Sequence, residues 1–301
     1  MYHQPVLLNE SIEALNIKGD GIYVDVTYGG GGHSAKILEK ITTGSLIAFD
    51  QDQDALANKP DDDRLILINQ NFRFMRNFLK LYKAVPVDGI LADLGISSHQ
   101  IDKAERGFSV RFEAELDLRM NQRKDLTAAK VVNTYSVAKL REIFFRYGDL
   151  KNAGRISTLI ETARSQSEIK TTGQLKDILK SLAPRMQENK FYAKVFQALR
   201  IEVNDEMGAL EEMLEQTADL LKPGGRLVVI SYHSLEDRLV KNLMKTGNVE
   251  GKVHKDFFGN METPFEVITR KPIIPTDKEI ETNNRARSAK LRVAEKINGK
   301  G

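Results

Sequence analysis

Apolar residues along this chain fall into short continuous runs and longer helical stripes, and their order predicts a fold. Continuous runs occupy 22–26, 46–49, 65–68, 87–93 and 226–231. Runs without polar alternation are the pattern of strands covered on both faces. Helical spacing separates them at 33–40, 74–82 and 204–221, the last with Met207, Leu210, Met213, Leu214 and Leu220 on one side. Strand and helix alternating in this way predict an α/β protein with a doubly wound, mostly parallel, Rossmann-like sheet.

Finer punctuation follows from capping and breaking residues. A lead-in helix is expected within 1–20, capped by Asn9 or Ser11. Lys222-Pro223-Gly224-Gly225 stops the helix that ends near Leu221. Ser234 reads as the cap of a further helix, with Asp237 at the capping-box position. Phe265 to Thr269 and Ala289 to Val293 predict two late strands that close the sheet as an antiparallel hairpin.

Between Asp125 and Glu202 the strands disappear. Helices are expected at 136–147, 153–165, 172–182 and from Tyr192 onward, and the sheet pattern then resumes. The expectation is a core formed by 1–124 and 203–301, interrupted by a helical substrate-recognition insertion at 125–202.

Charge adds a partner class. The chain of 301 residues carries a net +3, unevenly spread. Residues 125–202 hold 14 Lys and Arg against 8 Asp and Glu, and 283–301 hold 6 against 1, so the remainder carries −8. Two basic regions on an acidic body suggest a polyanion such as nucleic acid. Arg141, Arg146, Lys151 and Arg155 in the insertion, and Arg285, Arg287, Lys290 and Arg292 in the tail, are candidates to grip phosphates. No cysteine is present, which excludes disulfides and thiolate metal sites and suits a reducing cytoplasm. The five histidines lack metal-ligand spacing, so no metal is expected. No apolar run approaches the roughly 18–20 residues of a membrane span, and no secretory signal pattern opens the chain.

Candidate chemistry concentrates at strand ends. The first strand leads through Asp25 and Thr27 into Gly29 to Gly32 and a helix beginning near His33. This strand, glycine turn and helix present backbone N–H groups to a nucleotide-like ligand. Asp50 follows Gly29 by 21 residues, the spacing of an acid that accepts from a ribose diol. Asp93 ends another strand. The dinucleotide pattern would require glycine at Ser34, and no Gly-Lys-Ser/Thr follows, so neither a Rossmann dinucleotide loop nor a P-loop is present. A smaller nucleoside cofactor such as S-adenosylmethionine fits better.

The blocks Asp25-Val-Thr-Tyr-Gly-Gly-Gly-Gly-His-Ser34, Asp93-Leu-Gly-Ile-Ser-Ser98, Glu105-Arg-Gly-Phe-Ser109 and Leu116-Asp-Leu-Arg-Met120 continue into Phe196-Gln-Ala-Leu-Arg-Ile201, Ser231-Tyr-His-Ser-Leu-Glu-Asp-Arg238 and Arg285-Ala-Arg-Ser288. In this order they resemble the bacterial 16S (small-subunit) rRNA cytosine-N4 methyltransferase family. The chain departs from the family pattern at His99, Asn121 and Lys190-Phe-Tyr-Ala-Lys194. The resemblance implies a class I methyltransferase that moves a methyl from S-adenosylmethionine to the N4 of a cytosine in the decoding region of the small ribosomal subunit. It places cofactor contacts on Gly31, Gly32, His33, Asp50, Phe72, Asp93 and Gln100. Asp93, with Ser97 and Ser98, is the candidate hydrogen-bond acceptor for the amino group, and His233 and Ser234 are candidates to line a base pocket. Two other readings stay open from residues alone: an amino methyltransferase for DNA or a small molecule, and a cofactor-dependent RNA-binding assembly factor.

Overall fold

The continuous apolar runs become the strands of one seven-stranded sheet, in the order β3-β2-β1-β4-β5-β7-β6. The computed structural model describes residues 5–109 and 111–298, so residues 1–4 of the expected lead-in helix lie outside the described residues. By contacts the chain divides into two units, 1–95 with 207–301 and 96–206.

The first half of the sheet unit contains α1 (Leu8–Ala14), β1 (Ile22–Asp25), α2 (Gly32–Lys40), β2 (Ser45–Phe49) and β3 (Leu65–Ile68), followed by α3 (Met75–Leu81) and β4 (Val87–Asp93). These four strands pair in parallel, with Asp25 opposite Ala48 on one side and Leu91 on the other. Leu46, Ile90 and Leu91 are fully buried, as strands covered on both faces require. Neither Asn9 nor Ser11 caps α1. The cap is Leu7 in a left-handed conformation, without a side-chain hydrogen bond.

The helical unit comprises α4 (Ser98–Asp102), α5 (Ala128–Thr134), α6 (Val137–Arg146), α7 (Ala153–Arg164), α8 (Thr172–Leu179) and α9 (Glu188–Asn204). Its core gathers Leu140, Ile143, Phe144, Ile156, Val195 and Leu199. This unit begins at Ile96, well before the Asp125 boundary drawn from the hydrophobic pattern. The reason is local. Leu116, Leu118 and Met120 join the helical core, and the Asn204 amide bridges the Leu118 carbonyl (2.8 Å) and the Met120 N–H (2.7 Å). A segment without periodicity is bound by contacts that periodicity does not register.

The sheet unit resumes with α10 (Glu206–Leu220) and β5 (Leu221–Ser231), then α11 (Ser234–Thr246), β6 (Phe265–Val267), α12 (Asp277–Thr282) and β7 (Lys290–Lys296). Asp205 at φ 52° ends α9, so the stripe expected from Asn204 starts at Glu206 instead. Lys222 to Gly225 are carried within β5 as an irregularity between the Val87 and Gly89 pairings, rather than ending before it. The late strands are antiparallel as expected, but β7 lies between β5 and β6, with α12 in the connection. Among the described residues no helix is long and apolar enough to cross a membrane.

Phe144 is wholly buried in the helical core. Phe144→Ala is expected to destabilise the protein by about 3–5 kcal/mol. Urea denaturation followed by circular dichroism measures this, and a loss below about 1 kcal/mol would contradict the packing described.

Candidate active site

The carboxyl ends of β1, β2 and β4 bring three acids to one side of the sheet unit, and a hydrogen-bond network ties them to the glycine turn. Asp25 is buried and accepts from the Thr27 N–H (3.0 Å) and the Ser34 hydroxyl (2.7 Å), which holds both ends of the turn. The Thr27 hydroxyl in turn accepts the Asp93 N–H at 2.7 Å. Burial pushes the Asp25 carboxyl above its usual range. Its partners are internal, so Asp25 shapes the turn.

Gly31 adopts φ 78° and precedes α2 without a side-chain cap. A Cβ there would lie 2.7 Å from the Tyr28 hydroxyl, so only glycine suits the position on both counts. The first turn of α2 therefore starts with backbone N–H groups rather than a capping side chain, a favourable end for an anionic group. His33, the second residue of α2, is buried; its Nδ1 is 3.8 Å from Asp93 Oδ2. Its Nε2 is buried with no hydrogen-bond partner among the described residues.

Asp50 stands just beyond β2. One carboxylate oxygen accepts the Gly29 N–H and the other the Asp52 N–H, both at 2.8 Å. Burial raises its pKa to about 6 despite these two bonds. Asn71 links this loop to the next one, donating to Gln51 Oε1 at 3.0 Å while its own Oδ1 accepts the Arg73 N–H. Phe72 sits half-buried on that turn, beside the loop that carries Asp50.

Asp93 closes β4. Burial pushes its pKa to about 6, while the charge of His33 and the hydroxyl of Tyr232 pull the other way. Tyr232 donates to Asp93 Oδ1 at 2.7 Å, which leaves Oδ2 as the oxygen on the His33 side. Burial and the Asp93 charge push the Tyr232 phenol well up, so it remains a donor. No local pattern assigns Tyr232 a role. Its signal was topological: it directly follows β5, whose neighbour β4 ends in Asp93.

Residues after β5 take roles different from those expected. His233, not Ser234, caps α11: its Nδ1 accepts the Glu236 N–H, and the Glu236 carboxylate accepts the Tyr232 and His233 N–H groups. The capping acid is thus Glu236 rather than Asp237, because the extended residue that ends the strand is His233. Asp237 instead pairs with Arg292 at 2.7 Å and Lys290 at 3.5 Å. Arg292 is buried, so these two tail cations hold β7 to α11 and leave the expected phosphate grip. Arg285 is half-buried and Arg287 exposed on the 3-10 turn Asn284–Ser288.

Ser97, Ser98 and Gln100 belong to the helical unit. Ser97 is the cap of α4: its hydroxyl accepts the Gln100 N–H, and Gln100 Oε1 accepts the Ser97 N–H. Ser98 opens the helix, its side chain outside the described residues. The geometry thus gives Ser97 a structural task, and Gln100 is buried.

A mostly parallel sheet with a glycine turn and acids at its carboxyl ends defines a Rossmann-like class I methyltransferase. The sequence model of the MraW methylase family matches residues 1–297, and the chain belongs to that family. It is 58% identical over 297 residues to the "Ribosomal RNA small subunit methyltransferase H" of Flavobacterium johnsoniae, covering 98% of each chain. A protein of the same name from Bacteroides fragilis is 56% identical over 98% of this chain and 97% of its own. S-adenosylmethionine is the cofactor of this class, and the residues present fit it. The uncapped α2 start suits a carboxylate, the Asp50 carboxylate suits a diol, and the orphaned Nε2 of His33 lies buried at the start of α2.

A partly buried acid with a raised pKa has a definite sign in stability. Folding favours the protonated form of Asp93, so its contribution is present below about 3.8 and is lost as pH rises through about 6. Asp93→Asn is therefore expected to stabilise the protein by on the order of 2–3 kcal/mol above pH 7. The gain should shrink as pH falls from 6 toward 4. Thermal unfolding across that range is the check, and a pH-independent difference would contradict it.

Proposed function

We propose that this protein methylates the N4 amino group of a cytosine in the 16S rRNA of the small ribosomal subunit, in the cytoplasm, with S-adenosylmethionine as donor. The observation that carries the reading is Asp93, a carboxylate ending β4, oriented by Tyr232 and tied through Thr27 to the glycine turn. Family membership and the relatives' shared name support rRNA as the substrate class. The target cytosine rests on the motif resemblance.

The bound donor supplies an activated methyl on a sulfonium with a neutral leaving group. What the chain must contribute is placement and a proton acceptor. Gly31, Gly32 and His33 at the start of α2, with Asp50, would hold the donor's polar ends, and Phe72 offers a ring beside the Asp50 loop. The N4 lone pair of cytosine is delocalised into the ring, which makes the nitrogen a weak nucleophile. Asp93 Oδ2 would accept a hydrogen bond from the amino group, localise the pair as the bond forms, and take the proton. With a pKa of about 6, Asp93 is ionised at neutral pH, yet a better base than an exposed aspartate. Ser97 is engaged in a helix cap, so Asp93 stands as the acceptor.

Incubation with S-adenosylmethionine and immature or mature small subunits should place a methyl on a cytosine N4. A methyl on carbon, or none, would overturn the reading. The transfer rate is expected to fall at acid pH with a limb near 6. Tyr232→Phe, which removes the hydrogen bond that lowers the Asp93 pKa, should move that limb upward. Asp93→Asn should slow transfer by roughly 100-fold or more. A limb that does not move in Tyr232→Phe would refute the assignment of Asp93 as acceptor.

A further inference from the structure

The helical unit carries an open groove of about 730 Å³ where α6 turns into α7, far along the sequence from the acids of the sheet. Arg141 and Phe145 reach it from α6, Lys151 from the turn before α7, and Arg155 from the first turn of α7. Two features meet there. Phe145 is 66% exposed, although α6 buries Leu140, Ile143 and Phe144 on its other face. Among the described residues, Arg141, Lys151 and Arg155 have no carboxylate within ion-pair distance, whereas Lys139, Arg146, Arg164, Lys194 and Arg200 of the same unit each do.

Glu142 also lines the groove, but Lys139 at 3.2 Å and Arg146 at 3.9 Å offset its charge. The groove thus joins an exposed flat ring to three cations with no carboxylate within ion-pair distance, although Lys151 acts at longer range on Asp149. Exposure of a large apolar ring is unfavourable in isolation, and three like charges gathered along one groove repel one another. Both features are relieved by one kind of ligand, a chain with phosphates at regular intervals and flat bases between them.

We propose that this α6–α7 groove is a docking platform for single-stranded RNA, with a base stacked on Phe145 and flanking phosphates on Arg141, Lys151 and Arg155. The inference rests on the reading of the protein as an RNA methyltransferase and adds where the substrate is held away from the reacting base. A single strand fits better than a duplex, because only an unstacked base exposes a face to the ring. An acidic polypeptide would satisfy the cations but would leave the ring bare.

The test measures binding of a labelled single-stranded RNA of about ten nucleotides across a salt series, together with methyl transfer to small subunits. Phe145→Ala should weaken binding roughly 5- to 150-fold, while Phe145→Trp should retain it and Phe145→Leu should not. Arg141→Ala and Arg155→Ala should each reduce the slope of log affinity against log salt by about 0.7. In transfer assays these variants should raise KM for the ribosomal substrate, with kcat and S-adenosylmethionine affinity unchanged. Unchanged RNA affinity and slope in all variants, with normal transfer, would sink the platform and leave the methyltransferase reading intact. The same holds if Phe145→Leu binds as well as Phe145→Trp, or if polyglutamate or duplex RNA displaces the strand as effectively as unlabelled strand. A wild type that binds RNA through this groove yet transfers no methyl to any subunit would uphold the platform and overturn the function.

Discussion

The site depends on a carboxylate with no access to water. Asp25 is placed at the end of β1, where its oxygens can be satisfied only by the Thr27 N–H and hydroxyl and the Ser34 hydroxyl. Leaving a buried charge without donors is strongly unfavourable, so the turn must bring Thr27 and Ser34 to it. That requirement shapes the glycine run, because the six residues between the two donors, Tyr28 to His33, have to reverse direction against the Tyr28 ring. Thr27 then passes the constraint on to the backbone of Asp93. One buried acid therefore coordinates the ends of two strands.

The same region is where stability is sacrificed. Asp50 and Asp93 are both held at pKa values near 6 by burial, which marks environments that disfavour their ionised forms. Tyr232 limits the penalty at Asp93 without removing it. A carboxylate that is somewhat unstable as an anion is a stronger hydrogen-bond acceptor and base, so the energetic defect and the proposed chemistry have one cause.

The two basic regions divide once their partners are known. Tail cations Lys290 and Arg292 are committed to Asp237 and help hold β7 to α11. In the insertion, Lys139, Arg146, Arg164, Lys170, Lys194 and Arg200 are likewise paired, while Arg141, Lys151 and Arg155 beside Phe145 have no carboxylate within ion-pair distance. Net charge by segment therefore overstated the charge that the tail has available.

The sequence by itself determined the parallel strands, the glycine turn and the acids at strand ends. Strands buried on both faces must be written as continuous apolar runs, and a left-handed turn against Tyr28 must be written as glycine. These are local demands, met by local residues. Position in the sheet was another matter: that β7 enters between β5 and β6 depends on pairing across the fold and leaves no periodic trace. The Tyr232–Asp93 hydrogen bond joins residues 139 apart in sequence, through the adjacency of β4 and β5. Likewise, His233 rather than Ser234 caps α11, and Leu116 to Met120 pack with the helical unit. In each case several residues of suitable chemistry were available in the sequence, and only tertiary packing decided which one met its partner.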